Sequence, residues 1–227
     1  MNYFRILSSL FTLLLATALH AQLLVEHWAK GYNGPASSGD YATAVVVDHA
    51  GDVIVTGWSG TGVGRTDATI PDYLEFYTAK YSGATGALLW EQRYGEVGTI
   101  EVPGHAVVRG LAADSIGNVI VTGYAGTAGM AYYTAKYAAS DGALLWQKRY
   151  SGPEQNDRAQ ALAVDGNDDI IVTGSSQTSP SAYDYYTAKY AKLDGALIWE
   201  MRYNGPANGS DLAKCVAVDG SINPRRK

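Results

Sequence analysis

An internal repeat is the strongest constraint on how this 227-residue chain folds. The string Tyr-Thr-Ala-Lys-Tyr occurs at residues 77–81, 133–137 and 186–190. In each copy it follows Ile-Val-Thr-Gly and precedes Gly-Ala-Leu-Leu-Trp, which reads Gly-Ala-Leu-Ile-Trp in the third copy. Equivalent positions lie 51 to 66 residues apart, so the chain is built from units of nearly constant size.

Each copy contains four short runs that are typical of β-strands and are separated by turn residues. In the first copy these runs are residues 42–47, 53–56, 76–81 and 87–94. The first two are apolar at consecutive positions, as in strands covered on both faces, whereas the fourth alternates. The pattern predicts an all-β fold of propeller-type blades, each with four antiparallel strands, the first innermost and the fourth nearest solvent.

The predicted organisation is three full blades, at about residues 40–95, 105–152 and 157–205, with partial strands at both ends. Residues 24–35 match a fourth strand alone, and residues 211–219 match a first strand alone. Typical propellers have about four to eight blades. The alternatives are therefore a truncated propeller, an open arc, or a ring completed by several chains. Open blade edges in such an array also predict self-association.

The repeat resembles the bacterial SBBP (β-propeller) repeat. The resemblance rests on the pattern Asp-x-Ala, then Asp-x-x-Gly-Asn-Val-x-Val-Thr-Gly, seen in Asp157, Ala159 and Asp165 and in residues 114–123. The second copy departs from it, because Ala106 stands where the other copies have aspartate. The resemblance implies a propeller of extracytoplasmic bacterial proteins, and it implies no particular reaction.

The first 21 residues predict a secretory signal peptide. Arg5 precedes an apolar run from Ile6 to Leu19, and small residues lead to Ala21, which is the order of a cleavable signal. The run is shorter than the roughly 20 apolar residues of a comfortable membrane span. We therefore expect a protein that is secreted, periplasmic or on the cell surface, with no transmembrane span after cleavage.

Charge, cysteine and motif content narrow the function. The net charge is −5 and the only basic cluster is the terminal Arg225-Arg226-Lys227, so the larger basic patch that nucleic acid requires is not expected. Cys215 is the single cysteine, and its small apolar neighbours predict that it is buried. No metal-ligand spacing of histidines, Gly-x-Ser-x-Gly string or phosphate loop occurs. These absences favour a non-enzymatic protein that needs no cofactor.

Residues that recur in every copy are expected to be structural. Each tryptophan stands four residues before a tyrosine, which places both rings on one strand face. Each repeat lysine lies in an apolar strand and needs a partner, which the recurring aspartate can supply. The acidic turn at residues 165–169 is an alternative calcium site, although Asp and Asn favour turns without metal. The recurring residues are Trp28, Trp90, Trp146, Trp199, Asp48, Asp114, Asp165, Asp219, Lys80, Lys136 and Lys189.

Loop lengths predict which end of the blades binds a ligand. The repeat aspartate and the threonine of Ile-Val-Thr-Gly are eight residues apart in every copy. The span from that threonine to Tyr-Thr-Ala-Lys-Tyr is instead 21, 11 and 13 residues, and the loops between blades also vary. These variable loops emerge at one end, as is typical of a binding face. The candidate ligand-binding residues are Trp58, Arg65, Asp67, Asp72, Tyr73, Glu101, His105, Tyr183 and Asp184.

The sequence therefore predicts a non-enzymatic, exported propeller that serves as a scaffold or binding protein for a protein or glycan. One alternative is a hydrolase or lyase acting on polysaccharide, which needs two carboxylates about 5–10 Å apart in a pocket on the variable face. The other alternative is a truncated fragment without independent function.

Overall fold

A computed structural model describes residues 27–62, 73–95, 105–127, 129–179 and 182–219. Their regular secondary structure is entirely β, in three sheets of four antiparallel strands each. The predicted all-β fold of four-stranded blades is thereby confirmed. The strands are β1 (Asp40–Val47), β2 (Val53–Gly60), β3 (Leu74–Tyr81), β4 (Leu88–Tyr94), β5 (His105–Ala113), β6 (Val119–Gly126), β7 (Ala131–Tyr137), β8 (Leu144–Tyr150), β9 (Asp157–Val164), β10 (Ile170–Ser179), β11 (Ala182–Tyr190) and β12 (Leu197–Tyr203).

Each blade is a meander in which strands that are consecutive in the chain pair with each other. Blade one contains β1 to β4, blade two β5 to β8 and blade three β9 to β12. The repeat threonines of the second and third strands lie directly opposite, and their hydroxyl oxygens are 2.7–2.8 Å apart. Five of these six threonines are buried, and the paired hydroxyls satisfy each other. The pairs are Thr56–Thr78, Thr122–Thr134 and Thr173–Thr187.

The depth of the strands differs in part from the sequence expectation. The first strands of adjacent blades do contact each other, β1 against β5 and β5 against β9. The deepest strands, however, are the second and third, and every residue of β7 is buried. Among the described first strands β5 lies between β1 and β9, whereas β1 contacts β5 alone and leaves Tyr41, Val45 and Val47 exposed. The third strand is enclosed both by its own sheet and by the adjacent blades.

The aromatic residues of β4 and β8 pack on the third strand of the next blade. The Tyr94 ring stacks on Tyr133 with centroids 3.5 Å apart, and Trp90 packs against Tyr137. The ring nitrogen of Trp90 donates to the carbonyl oxygen of Ala139 at 3.2 Å. The junction between blades two and three repeats this arrangement. The tryptophans and tyrosines are thus the surfaces that join the blades.

Gly142, which begins the string Gly-Ala-Leu-Leu-Trp in blade two, must be glycine for two reasons. Its φ angle is +71°, which side chains other than glycine rarely adopt. A Cβ atom at this position would also lie 2.7 Å from the ring of Trp90 in the preceding blade. The glycine therefore leaves a flat surface on which the tryptophan ring of the preceding blade packs.

The two segments expected to be isolated strands have no strand structure over their described residues, 27–35 and 211–219. Residues 27–35 nevertheless take the place of a fourth strand beside blade one. Trp28 donates to the carbonyl oxygen of Gly83 at 2.9 Å, and Tyr32 stacks on Tyr77 with centroids 4.0 Å apart. Cys215, expected to be buried, is exposed, because segment 211–219 forms no strand ladder that would cover it.

Each repeat lysine does pair with the repeat aspartate of its own blade. The Lys136 ammonium lies 2.8 Å from Asp114 Oδ2, and both side chains are almost completely buried. It also donates to the carbonyl oxygen of Lys192 in blade three, the same oxygen that Trp146 binds. The Lys136 ammonium therefore bonds both to its own sheet and to the sheet of the next blade. The equivalent pairs are Lys80–Asp48 at 2.7 Å and Lys189–Asp165 at 2.6 Å.

These pairs set the ionisation of the aspartates. Burial by itself raises the pKa of Asp114, but hydrogen bonds from Lys136 and Asn118 outweigh it, so the pKa lies below its usual range. The same balance lowers the pKa of Asp48 and Asp165. The three carboxylates are accordingly ionised at neutral pH, as an ion pair with lysine requires.

Candidate binding surface at the loop-bearing end

The loop-bearing end of the blades, where the second-to-third-strand loops and the inter-blade loops emerge, holds the sequence-predicted ligand residues. Trp58, His105 and Tyr183 are partly exposed there, one on each blade. Tyr73 and Asp184 are instead buried, at 4% and 6% exposure, so a ligand does not reach them in this conformation. The other four candidates, Arg65, Asp67, Asp72 and Glu101, lie outside the described residues.

Tyr183 holds two loops in place. Its hydroxyl accepts a 2.6 Å hydrogen bond from the Asn156 side chain, and its carbonyl oxygen accepts one of 2.6 Å from the Asp211 backbone amide. Asn156 precedes the first strand of blade three, and Asp211 lies in the segment that follows its last strand. The side chain is therefore engaged in anchoring the chain around blade three.

Asp184 belongs to a row of side chains that crosses blade three. Asp157, Ser176 and Asp184 are opposite one another on β9, β10 and β11. Blade one has the equivalent row Asp40, Ser59 and Glu75. In blade two the same row consists of three alanines at positions 106, 125 and 131. The row is thus compatible with the fold but is not required by it.

In blades one and three, the aspartate on the first strand of the row binds the backbone of the loop that precedes the blade. Asp40 Oδ2 accepts the Gly34 amide at 2.8 Å, and Asp157 Oδ2 accepts the Gly152 amide at 2.6 Å. Both glycines belong to Gly-Pro strings, at residues 34–35 and 152–153, and the linker before blade two has no equivalent string. The departure at Ala106 is explained, since there is no Gly-Pro loop for an aspartate to fasten.

The row in blade three is sealed from solvent. Asp157 is completely buried, and burial raises its pKa. Arg202 donates to Ser176 Oγ at 3.1 Å and also to the Tyr150 hydroxyl of blade two. Among the residues that the structure describes, one carboxylate oxygen each of Asp157 and Asp184 finds no hydrogen-bond partner. Because both carboxyls are inside the junction, they do not form the open acidic pair that cleavage of a polysaccharide requires.

A second set of side chains at this end is exposed and lies on the first and second strands. Trp58 stacks on Tyr41 with centroids 4.1 Å apart, and Tyr41 is 59% exposed. In blade two the Tyr124 ring lies 5.8 Å from the guanidinium carbon of Arg109 and 5.9 Å from that of Arg158 in blade three. We call these five residues the inner rim.

Two features of the backbone produce the inner rim. Trp58 and Tyr124 occupy the first position after Ile-Val-Thr-Gly, where the third blade has Ser175. Arg109 is the extra residue of a β-bulge in β5, between Val108 and Gly110, and a bulge commonly re-aims a side chain. Sequence reasoning found Trp58 and missed the other four. The available signal was an invariant string followed by a residue that changes in every copy.

The inner rim combines aromatic faces with the guanidinium groups of two arginines. Arg109 and Arg158 are exposed, and neither forms an ion pair with any residue that the structure describes. Planar guanidinium groups bind carboxylates through paired hydrogen bonds, and aromatic rings supply rigid contact area at small entropic cost. The arrangement is suited to a ligand with flat apolar faces and acidic groups.

The acidic turn of blade three is occupied by a side chain of the protein. Lys189 Nζ lies 2.6 Å from Asp165 Oδ2 and 3.1 Å from Asp169 Oδ2. Across the described ranges, no three His, Cys, Asp or Glu side chains are grouped so as to hold a metal ion. Calcium at this turn stays a sequence-based prediction. Among the same residues, no helix has the length and apolarity needed to cross a bilayer.

Comparison with known proteins supports the repeat architecture. No protein-family model matches the chain. It is similar to an uncharacterised WD repeat-containing protein of Acanthamoeba polyphaga mimivirus, with 27% identity over 204 residues. The alignment covers 68% of this chain and spans 14% of the length of that relative. Together with three sheets of four antiparallel strands, this similarity identifies a repeat fold of β-propeller type.

Proposed function

We propose that the chain is a non-enzymatic, exported binding scaffold with blades of the SBBP type, and that its inner rim binds a carboxylated polysaccharide. The carrying observation is the contrast between two kinds of position. Residues that join the blades, such as Trp90 and Trp146, are identical from copy to copy. The inner-rim positions differ in every blade, and those of Trp58 and Tyr124 do so directly after an unchanged Ile-Val-Thr-Gly string, which is typical of recognition and not of packing.

The charge of the inner rim supports an acidic ligand. The whole chain has a net charge of −5, yet two exposed guanidinium groups flank Tyr124 at the rim. Each can form two parallel hydrogen bonds to a carboxylate. The stacked pair of Tyr41 and Trp58 offers a flat surface for the apolar face of a sugar ring. Export is supported by the signal-like segment at residues 1–21.

Binding of the full chain to immobilised polysaccharides tests the proposal. We expect binding to a uronate-rich polymer, weak binding to a neutral polymer of similar linkage, and loss of binding as salt is raised. Arg109→Ala and Arg158→Ala should each weaken binding about tenfold to a hundredfold, since hydrogen bonds to charged groups contribute about 1.5–3 kcal/mol. Leu193→Ala is the control, because Leu193 is 82% exposed in the turn at the opposite end.

Two results would contradict the proposal. One is equal binding of the folded chain to acidic and neutral polymers. The other is a loss in Leu193→Ala as large as that in the arginine variants. If the polysaccharides show no binding and a protein ligand is retained instead, through the same arginines, the rim is a binding site but the assigned ligand class is wrong.

The proposal also includes association between copies of the chain. Blade three exposes Tyr185, Trp199 and Tyr203 on the face that points away from blade two, with 38%, 36% and 55% exposure. The equivalent residues of blade two, Tyr132 and Trp146, are only 1% and 7% exposed because blade three covers them. A cluster of exposed aromatic rings of this kind is typical of an interaction surface.

A further inference from the structure

We infer that Asn208 is a site of spontaneous covalent modification, at which the side-chain amide is lost and part of the protein acquires an isoaspartyl bond. Asparagine followed by glycine is the pair most prone to this reaction, because glycine has no side chain to shield its backbone nitrogen. The chain contains three such pairs, Asn33–Gly34, Asn204–Gly205 and Asn208–Gly209. Of these three, the structure leaves the last one open to the reaction.

The reaction takes place within the chain. The backbone nitrogen of Gly209 forms a bond to the side-chain carbonyl carbon Cγ of Asn208 and loses its proton, and the side-chain amide group leaves as ammonia. Water then opens the resulting succinimide ring at one of its two carbonyl carbons. One opening gives aspartate, and the other gives isoaspartate, in which the main chain runs through Cβ and Cγ. Water is the only other reactant.

The backbone nitrogens of the glycines distinguish the three pairs. All three asparagines are exposed, so access to their side chains does not. The Gly34 nitrogen donates to Asp40 Oδ2 at 2.8 Å, and the Gly205 nitrogen donates to Asp211 Oδ2 at 2.7 Å. Attack by either nitrogen must first break a hydrogen bond to a charged group. The carboxylate also opposes loss of the proton, because it disfavours negative charge beside it.

Gly209 has neither restraint. Its nitrogen donates to no residue that the structure describes. A Cβ atom at Gly209 would meet no described atom within 4 Å, whereas one at Gly34 would lie 2.6 Å from Ser59 Oγ. Gly209 is exposed and Gly34 is buried. The Gly209 nitrogen can therefore approach the Asn208 side chain without displacing a neighbour.

The side chain of Asn204 favours the reaction at Asn208. Its Nδ2 donates to Asn208 Oδ1 at 3.1 Å. That oxygen gains negative charge as the nitrogen adds to Cγ, and a donor placed at such an oxygen stabilises the transition state. The Asn208 nitrogen donates to the Gly205 carbonyl oxygen at 2.9 Å, which keeps both asparagines in one turn. The equivalent turn before blade one has Ser37 at this place and so no amide to lose.

An isoaspartyl bond at position 208 would loosen the segment that follows it. Ser210 and Asp211 bind the backbone of Tyr183 on blade three. Ser210 Oγ accepts the Tyr183 amide at 3.3 Å, and the Asp211 amide donates to the Tyr183 carbonyl oxygen at 2.6 Å. The isoaspartyl bond lengthens the main chain just before these residues, while Tyr183 stays fixed in its strand. Modification therefore weakens the attachment of residues 211–219 to blade three.

Peptide mapping by mass spectrometry during incubation of the folded full chain at mildly alkaline pH tests this inference. Amide loss is read from the change in mass, and isoaspartate from labelling by an isoaspartyl methyltransferase. We expect Asn208 to react about tenfold to a hundredfold faster than Asn33 and Asn204, the effect of one hydrogen bond to a charged group on a rate. In concentrated urea the three sites should react at similar rates, because folding no longer protects two of them.

Two variants separate the causes. Gly209→Ala should slow the reaction at Asn208 severalfold, and the open space around Gly209 accommodates the added methyl group. Asp211→Ala releases the Gly205 nitrogen and should speed the reaction at Asn204 toward its rate in urea. Circular dichroism verifies that both variants remain folded. Hydrogen exchange of the Asp211 amide should be faster in the aged wild-type chain than in the fresh one.

Three results would overturn the inference. One is equal reaction at the three sites of the folded chain. Another is a folded chain in which Asn208 stays intact although it reacts in urea. The third is an Asp211→Ala variant in which Asn204 remains as slow as in the wild type, because the carboxylate would then not be the source of protection. Polysaccharide binding enters none of these measurements, so they stand apart from the proposed function.

Discussion

Replacing Lys136 by methionine should destabilise the protein far more than the same change at Lys189, although both lysines occupy the same position of the repeat. The Lys136 and Asp114 side chains are 4% and 2% exposed. The Lys189 and Asp165 side chains are 16% and 19% exposed. Lys136 also donates to a carbonyl oxygen of the next blade. The two pairs therefore differ in burial and in the inter-blade bond, and Lys189 also lies 3.1 Å from a second carboxylate, that of Asp169.

Removing one partner of a buried ion pair costs about 3–5 kcal/mol, because the remaining charge is left without compensation. We expect a loss in this range for Lys136→Met. For Lys189→Met, solvent screening of the partly exposed Lys189–Asp165 pair lowers the loss of unfolding free energy to about 1–2 kcal/mol. Adding Asp114→Asn to Lys136→Met removes the stranded charge and should recover about half of the loss or more.

Equilibrium urea unfolding, followed by tryptophan fluorescence and far-ultraviolet circular dichroism, measures these differences. The slope of free energy against urea should be the same in all variants, so that midpoint shifts report stability alone. If Lys136→Met loses no more stability than Lys189→Met, burial of the pair does not determine its contribution. If the added Asp114→Asn increases the loss, a stranded carboxylate is not the cause of the destabilisation.

Three further results are expected. Trp146→Ala should cost about 3–5 kcal/mol of unfolding free energy in the urea assay, because the ring is buried. Trp199→Ala should cost under about 1 kcal/mol, because Trp199 is 36% exposed. Similar costs for the two variants would show that packing between blades does not determine the contribution of these tryptophans. Gly142→Ala should lower the melting temperature measured by calorimetry because of its positive φ and the adjacent ring, whereas Gly31→Ala, with open space around it, should not. The aspartates of the three lysine pairs have lowered pKa values. Their contribution to the free energy of unfolding should therefore be complete above about pH 4 and should be lost as the pH drops through their folded-state pKa values. A free energy of unfolding that rises on acidification would refute this expectation.

Much of the blade was predictable because its constraints are local in the repeat. A lysine and an aspartate stand at the positions of Lys136 and Asp114 in every copy, and a lysine in an apolar strand needs an anion nearby. The four-strand meander followed from the spacing of apolar runs and turns. Tryptophan and tyrosine four residues apart had to share a face. None of these inferences needed the positions of neighbouring blades.

The remaining features depend on contacts between sheets, which spacing does not contain. Tyr73 and Asp184 were assigned to the ligand face because they flank variable loops, yet both are buried. Arg109 was missed because only the register shift in β5 shows that it is a bulge residue. The fit of Phe76 against Gly123 likewise needs two sheets in place. Sequence strings show which residues are shared by the blades but not which of them meet.

The division of each junction between two blades has a consequence for how such chains change in length. Blades one and two each carry a tryptophan and a lysine that bond to the next blade, and blades two and three each carry the glycine and the carbonyl oxygen that receive them. Copying or removing one whole unit therefore recreates the same seam without any compensating substitution. Recombination between copies can therefore lengthen or shorten the array while each boundary between blades keeps the same contacts. The inner-rim residues take no part in those contacts and can change independently.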